Sequence, residues 1–201
     1  MKLTTTRRIG ATDASKLLGL SKYGGPLDVY RRIVLGIDAK VNSRMQRGTK
    51  YEPEVRKRYV EQTGAELSLW VMPLIVEHPL YPWATCSPDD ITVNDVLCEY
   101  KTTSVFARGW DPIPVEYATQ VQWSLWVTGL ERAHLYAAFG VDGDKTRPGE
   151  FFIERCQLYE LRRDDELADT FAEVGGAFWR NHVMTKTPPT ETKPTQETHA
   201  P

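Results

Sequence analysis

Two acids and a lysine between Ser87 and Thr103 are the residues of this chain best suited to chemistry. An aspartate, Asp89 or Asp90, precedes Glu99 by about ten residues, and Lys101 follows Glu99 two positions on. Carboxylates are hard oxygen ligands that select Mg²⁺ or Mn²⁺ over softer metals. A divalent cation held by them polarises a phosphodiester, activates a water and stabilises the departing oxygen. A lysine roughly 4–6 Å away offsets the charge that builds on phosphorus and helps orient or deprotonate the water. The pattern suits metal-dependent phosphodiester hydrolysis. Taken alone, however, D-x₉-E-x-K is short and permissive, and a surface hairpin with an Asp, a Glu–Lys pair and no metal is the simpler account of it.

The elements that carry these residues read as strands. Trp83 to Val93 and Val96 to Thr103 are β-prone, and Asn94-Asp95 between them suits a hairpin turn. Side chains alternate along a strand, so Leu97, Glu99 and Lys101 share one face. A strict two-residue turn sets Asp90 opposite Glu99 and Asp89 opposite Tyr100, whereas a one-residue bulge returns Asp89 to the Glu99 face. Both aspartates stay open.

Upstream the chain reads as helical. Thr12-Asp13 resembles an N-cap before Ala14–Leu18, and Pro26 suits the first position of a helix ending near Gly36. From Arg44 to Gly64 a third helical region sets Gly48, Glu52, Val55 and Tyr59 on one face, with Pro53 expected to start or kink it. Glu52 is thus an acid on an otherwise inward face, where it either has an arginine, backbone N–H groups or a metal nearby or is simply exposed.

Downstream of Glu77, Val115 to Thr128 reads as a helix closed by Gly129, with Gln120 near Tyr117 as either a buried amide or a site-lining group. Leu69 to Val76, Ala133 to Val141 and Phe151 to Cys156 read as strands. A last helix runs from about Tyr159 to His182 with a kink at Gly175-Gly176. After Met184 the Thr/Pro-rich composition predicts a disordered tail over 185–201.

The 201 residues fit one domain, here 1–184, made of a basic helical part (1–64) and a sheet-containing part (65–184). No apolar run is long enough for a membrane span. Met1-Lys2-Leu3-Thr4 lacks the features of a secretory signal, and three cysteines cannot all pair, so a reducing cytoplasm is expected. The formal net charge of −2 hides a division: residues 1–60 carry 14 Lys/Arg against 5 Asp/Glu, and residues 61–201 carry 11 against 22. The basic part suits phosphate contacts, while solvated helix faces account for it equally.

Several short motifs occur in a fixed order: Arg8-Ile9-Gly10-Ala11-Thr12-Asp13; Arg47-Gly48 through Tyr51-Glu52-Pro53; Ser87-Pro88-Asp89; Glu99-Tyr100-Lys101; and Tyr117-Ala118-Thr119-Gln120-Val121-Gln122. In that order the chain resembles the YqaJ-type viral recombinase family, which includes the lambda-type phage exonucleases, a branch of the PD-(D/E)xK nuclease superfamily. The resemblance spans roughly residues 7 to 140.

It implies an α/β (α+β) fold with a restriction-endonuclease-like core, a central mixed sheet flanked by helices. It implies Asp89, Glu99 and Glu52 as acids of a Mg²⁺ (or Mn²⁺) site completed by the Tyr100 carbonyl, Lys101 as the catalytic lysine, and Gln120 beside the scissile phosphate. Arg8 and Thr12 fall where the family binds DNA phosphate. The implied activity is 5′ to 3′ digestion of linear double-stranded DNA by a phage or prophage protein in the bacterial cytoplasm. The implied partners are double-stranded DNA ends, a single-strand annealing protein and further copies of the chain, a trimer by analogy.

Two departures stand out: Asp90 replaces the glycine that usually follows the motif aspartate, and the aromatic residue common before the first motif is missing. Within the superfamily, three cysteines exclude a four-thiolate iron–sulfur exonuclease within one chain, and no helix carries an evident base-reading pattern of a sequence-specific endonuclease. A noncatalytic DNA-binding or phage assembly protein that keeps the fold is the alternative of a different class.

Overall fold

The computed structural model describes residues 7–68, 75–103, 109–143, 146–147 and 149–190. Helix α1 (Ala11–Leu17) starts before the Thr12-Asp13 cap that the sequence suggests, so both residues lie inside it. Its N-cap is Gly10, and Asp13, at the third helical position, reaches back to accept the Gly10 N–H at 2.9 Å. The buried Asp13 carboxylate is also paired with Arg32 of α2 (Pro26–Val34), which begins on its proline as expected. Helix α3 (Ser43–Thr63) is capped by Asn42, whose side chain accepts the Met45 N–H, and ends at Gly64 with φ 67°. Pro53 lies inside it without starting or ending it. Proline removes one bond to the preceding turn, but Val55 and Tyr59 just beyond are fully buried, and their packing carries the helix through.

Of the strand expected over Leu69 to Val76, residues 69–74 lie outside the described set, and the described strand β1 is Val76–Glu77. The β-prone stretch from Trp83 is two strands rather than one. β2 (Thr85–Cys86) pairs with β1, and β3 (Asp90–Ile91) joins a different sheet. Pro88 lies between them and has no N–H for a ladder.

The main sheet has the order β3-β4-β5-β6, with β4 (Val96–Thr103) antiparallel to β3 and parallel to β5 (Arg132–Asp142). The connection between the parallel strands is α4 (Val115–Thr128), which ends on Gly129 at φ 72° as read from the sequence. β6 (Phe151–Arg162) is antiparallel to β5 and runs six residues past the Cys156 expected as its end. Tyr159 pairs with Leu135 and Leu161 with Ala133, so cross-strand pairing overrides the helical pattern of this segment. The last helix, α5 (Asp165–Phe178), therefore starts at Asp164, whose side chain accepts the Leu167 N–H, and continues as a π-helical turn over Trp179–Val183. Gly175-Gly176 does not interrupt it. A Cβ on Gly175 would lie 2.6 Å from the Trp83 ring, so the glycine serves close packing.

The alternation of β4 divides the core. Cys98 and Tyr100 pack with Val55 and Tyr59 of α3 on one face, and Leu97 packs with Val121 and Leu125 of α4 on the other. A third cluster joins Ile9, Val29 and Ile33 of the basic N-terminal part to Trp123, Trp126 and Phe171. Of the expected disordered tail, 191–201 lie outside the described residues, while the Lys186 carbonyl accepts the Tyr30 hydroxyl at 2.7 Å. Among the described residues no helix is long and apolar enough to cross a membrane.

Candidate active site

The turn between β3 and β4 decides which aspartate faces which way. Thr92 N–H donates to the Val96 carbonyl at 2.9 Å and Asp95 N–H to the Thr92 carbonyl at 3.1 Å, with Asp95 at φ 58°. Three residues, Val93 to Asp95, thus form the loop, one more than a strict two-residue turn, and the left-handed residue falls where such loops need it. The added residue sets Asp90 opposite Cys98 rather than Glu99.

Asp90 therefore lies on the α3 side of the sheet. Arg56 grips it with two bonds, Nε to Oδ2 at 2.6 Å and Nη2 to Oδ1 at 3.0 Å, and the Tyr100 hydroxyl donates to Oδ2 at 3.0 Å. Asp89 turns to the other side and joins Glu99 and Lys101 along a cavity of about 810 Å³. Its Oδ2 accepts the Tyr100 backbone N–H at 2.6 Å. The N–H and carbonyl of a strand residue point the same way, so the Tyr100 carbonyl faces the edge at which β3 has ended.

Glu99 is 3% exposed. Its Oε1 accepts from Lys101 Nζ and, at 2.6 Å, from the Gln120 amide of α4, while its Oε2 is buried without a hydrogen-bond partner. An unsatisfied buried carboxylate oxygen is costly, and a cation is one group that would relieve it. Burial first, and then the neighbouring charges of Glu99 and Glu52, push the Asp89 carboxyl up to about 8 against the pull of Lys101 and the Tyr100 N–H. Burial by itself would lower Lys101, but Glu99 and Asp89 outweigh it and hold its pKa above the ordinary value. The lysine is a cation at neutral pH.

Glu52 also lines the cavity, from a solvent-exposed position on α3. Partial burial, followed by the charges of Glu99 and Asp90, raises its pKa. Among the described residues no three His, Cys, Asp or Glu side chains converge to metal-binding distance. The donor set still fits Mg²⁺, which keeps several waters and needs one or two carboxylates from the protein. Asp89, Glu99 and the Tyr100 carbonyl meet that need.

Thr12 lines the same cavity, but Arg8 does not; its guanidinium pairs with Glu77. The basic wall comes instead from Lys16, Lys22, Arg44 and Arg47. Trp110 and Tyr117 form an aromatic side, with ring centroids 5.1 Å apart and Lys101 Nζ 5.4 Å from the Tyr117 centroid. Neither the role of Arg56 nor that of Trp110 was evident from sequence. Arg56 stands four residues after Glu52 on the same helix, which together with the added acid Asp90 is the signal that could have found it.

Comparison with known proteins agrees with the ordered motifs. Residues 4–131 match the family model of the YqaJ-like viral recombinase domain. The uncharacterized protein YqaJ of Bacillus subtilis (strain 168) is 29% identical over 182 residues, 88% of this chain, and the chain spans about half, 53%, of that relative's length. Among solved structures, the alkaline exonuclease LHK-Exo of Laribacter hongkongensis superposes with a TM-score of 0.66 over 90% of this chain and 89% of its own, at 20% identity. In its complex with dAMP the identity is 21%, with the same TM-score and coverage. A phage related exonuclease of Haemophilus somnus 129PT gives 0.66 over 89% and 96%, at 15% identity. These structural likenesses show that the chain shares the fold of these exonucleases, a mixed sheet flanked by helices. By its family match, this chain belongs to the YqaJ-like viral recombinase domain family.

Proposed function

We propose that the chain is a Mg²⁺-dependent deoxyribonuclease that hydrolyses linear double-stranded DNA from its ends, with 5′ to 3′ polarity, in phage-type recombination. The observation that carries this reading is the meeting of Asp89, Glu99, Lys101 and Gln120 in one cavity walled by lysines and arginines of the N-terminal part. A basic wall with few base-reading groups contacts phosphates and leaves sequence unread. The dAMP in the Laribacter hongkongensis exonuclease is a nucleoside monophosphate, the kind of product that stepwise digestion releases.

Asp89, Glu99 and the Tyr100 carbonyl would hold the cation, with Glu52, which lines the same cavity, as a further acid of the site. Mg²⁺ or Mn²⁺ bound there would supply Lewis-acid polarisation of the phosphate and a more acidic water. Gln120 keeps the Glu99 carboxylate in place by donating to Oε1. Lys101, held as a cation, stabilises the negative charge that grows on phosphorus. The water oxygen bonds to phosphorus and gives up a proton to solvent, the ester P–O bond breaks, and the departing oxygen takes a proton from solvent. Thr12 and the basic wall position the DNA backbone; Arg8, tied to Glu77, contributes at most from outside the cavity.

On this reading residues 1–184 form one nuclease domain, active in the bacterial host cytoplasm and assembled as a homo-oligomer, a trimer by analogy. A single-strand annealing protein would take up its product. Purified protein incubated with linear and covalently closed DNA, in Mg²⁺ or EDTA, tests it. Degradation of linear DNA alone, abolished by EDTA, is expected. Cutting of closed circles would point to an endonuclease, and no cutting of either to a noncatalytic DNA-binding protein.

A further inference from the structure

Each element that brings an acid to the cavity carries a second polar residue close by: on β3 and β4 it lies on the α3 side of the sheet, and on α3 it follows the acid by one turn on the same face. β3 holds Asp90 next to Asp89, β4 holds Tyr100 between Glu99 and Lys101, and α3 holds Arg56 one turn after Glu52. Arg56 and Tyr100 both meet Asp90. Arg56 binds both oxygens of Asp90, and the Tyr100 hydroxyl donates to Asp90 Oδ2.

The arrangement is demanding. Asp90 is 3% exposed, and a carboxylate so buried is tolerated only while its partners stay in reach. A planar guanidinium meeting a carboxylate through two parallel bonds fixes orientation as well as distance. Tyr100 is consequently gripped at two points by consecutive aspartates, its N–H by Asp89 and its hydroxyl by Asp90. Moving α3 or β3 away from β4 breaks one of these bonds.

We propose that Asp90 is a positioning residue for the metal site: with Arg56 and Tyr100 it clasps β3, β4 and α3 from behind, and so sets where Asp89, the Tyr100 carbonyl and Glu52 stand. The acid that replaces a glycine after the motif aspartate is thereby assigned to the back of the sheet, not to the cation. This rests on the reading of the cavity as a Mg²⁺ site.

Mn²⁺ binding by electron paramagnetic resonance tests it on full-length protein, using wild type, Asp90→Asn, Arg56→Gln, the double variant, Arg56→Lys and Asp89→Asn. All are compared below their unfolding temperatures, with near-UV circular dichroism as the check on folding. Partners that orient ligands typically affect metal affinity about 10- to 100-fold when removed. Asp90→Asn and Arg56→Gln should each weaken Mn²⁺ at least about 10-fold. The double variant should be no weaker than the worse single one, and Arg56→Lys should recover part of the loss. In DNA hydrolysis the Mg²⁺ concentration for half-maximal rate should rise by more than the rate at saturating Mg²⁺ falls. Tyr100→Phe, which keeps the backbone and the ring, should weaken Mn²⁺ in the same direction if Asp90→Asn fails to fold.

Unchanged Mn²⁺ affinity in Asp90→Asn with a lowered melting temperature would make the clasp a fold staple only and overturn the proposal. Loss of Mn²⁺ in Asp90→Asn with retention in Asp89→Asn would make Asp90 a ligand, which also overturns it. A wild-type protein that binds no Mn²⁺ would instead overturn the reading of the cavity itself, and the proposal with it.

Discussion

The carboxylate of Asp89 accepts the backbone N–H of Tyr100 at 2.6 Å, which ties the end of β3 to the strand that carries Glu99 and Lys101. The neighbouring Asp90 is turned to the opposite side of the sheet, into the grip of Arg56. Consecutive aspartates therefore have different work. Asp89→Ala should lower Mg²⁺-dependent DNA hydrolysis by about 10²–10³-fold or more, the scale of losing one transition-state contact. Asp90→Ala should keep measurable hydrolysis at high Mg²⁺. Rates measured across a Mg²⁺ titration check this, and loss in Asp90→Ala with retention in Asp89→Ala would reverse the assignment.

The metal-free protein should lose stability as pH rises. Asp89 ionises at about 8 in the folded protein against 3.8 as its ordinary value. Between those values the folded state holds a proton that the unfolded state has released, so unfolding is favoured as pH increases. Urea midpoints measured in EDTA should fall from pH 5 to pH 8, and Asp89→Asn should flatten the slope. Mg²⁺ added at pH 8 should raise the midpoint, because a ligand that binds only the folded state stabilises it. A midpoint that rises with pH in EDTA, in step between wild type and Asp89→Asn, would contradict this account.

Two adjacent glycines in α5 should respond oppositely to alanine. Both changes gain about 1 kcal/mol of helix propensity. A Cβ on Gly175 would meet the Trp83 ring at 2.6 Å, and that ring is hemmed in by Trp123 and Trp126. Overpacking of this kind costs about 1–3 kcal/mol. A Cβ on Gly176 would first meet the mobile end of Arg180, at 3.1 Å. Chemical denaturation should show Gly175→Ala destabilised and Gly176→Ala neutral or more stable; equal effects would contradict the packing.

Lys16 lines the cavity, and its expected role is to neutralise one phosphate. Lys16→Ala should weaken DNA binding by a similar factor for every sequence and reduce the slope of log affinity against log salt by about 1. Fluorescence anisotropy in EDTA over a salt series measures both. An unchanged slope would place Lys16 off the DNA path.

The parts of this protein governed by local rules were legible in its sequence. Pro26 opens α2, and Gly129 closes α4 at the residue expected. The alternation that set Glu99 and Lys101 on one face of β4 also holds. What escaped depends on partners distant along the chain. Residues 159–162 read as helix until β5 is there to pair with them. Arg8 reads as a free cation until Glu77 is folded beside it. The register of Asp89 and Asp90 turns on a three-residue loop in which Asp95 is left-handed and Asn94 is not, where a two-residue type I′ turn at Asn94-Asp95 needs both. The grouping of Gln120 with Glu99 was legible from the ordered motifs, whereas the Arg56–Asp90 pair required the packing of α3 on the sheet.

The central claim is that Asp89, Glu99 and Lys101 form a metal-dependent hydrolytic site, and Lys101→Met tests it most directly. Methionine keeps much of the volume and removes the ammonium that bonds Glu99 and faces the Tyr117 ring. Release of acid-soluble nucleotides from linear double-stranded DNA should depend on Mg²⁺ in the wild type. It should fall about 10²–10³-fold in the variant at saturating Mg²⁺, with DNA affinity in EDTA changed far less. Nucleotide release by Lys101→Met at the wild-type rate, or by either protein in EDTA, would contradict the account.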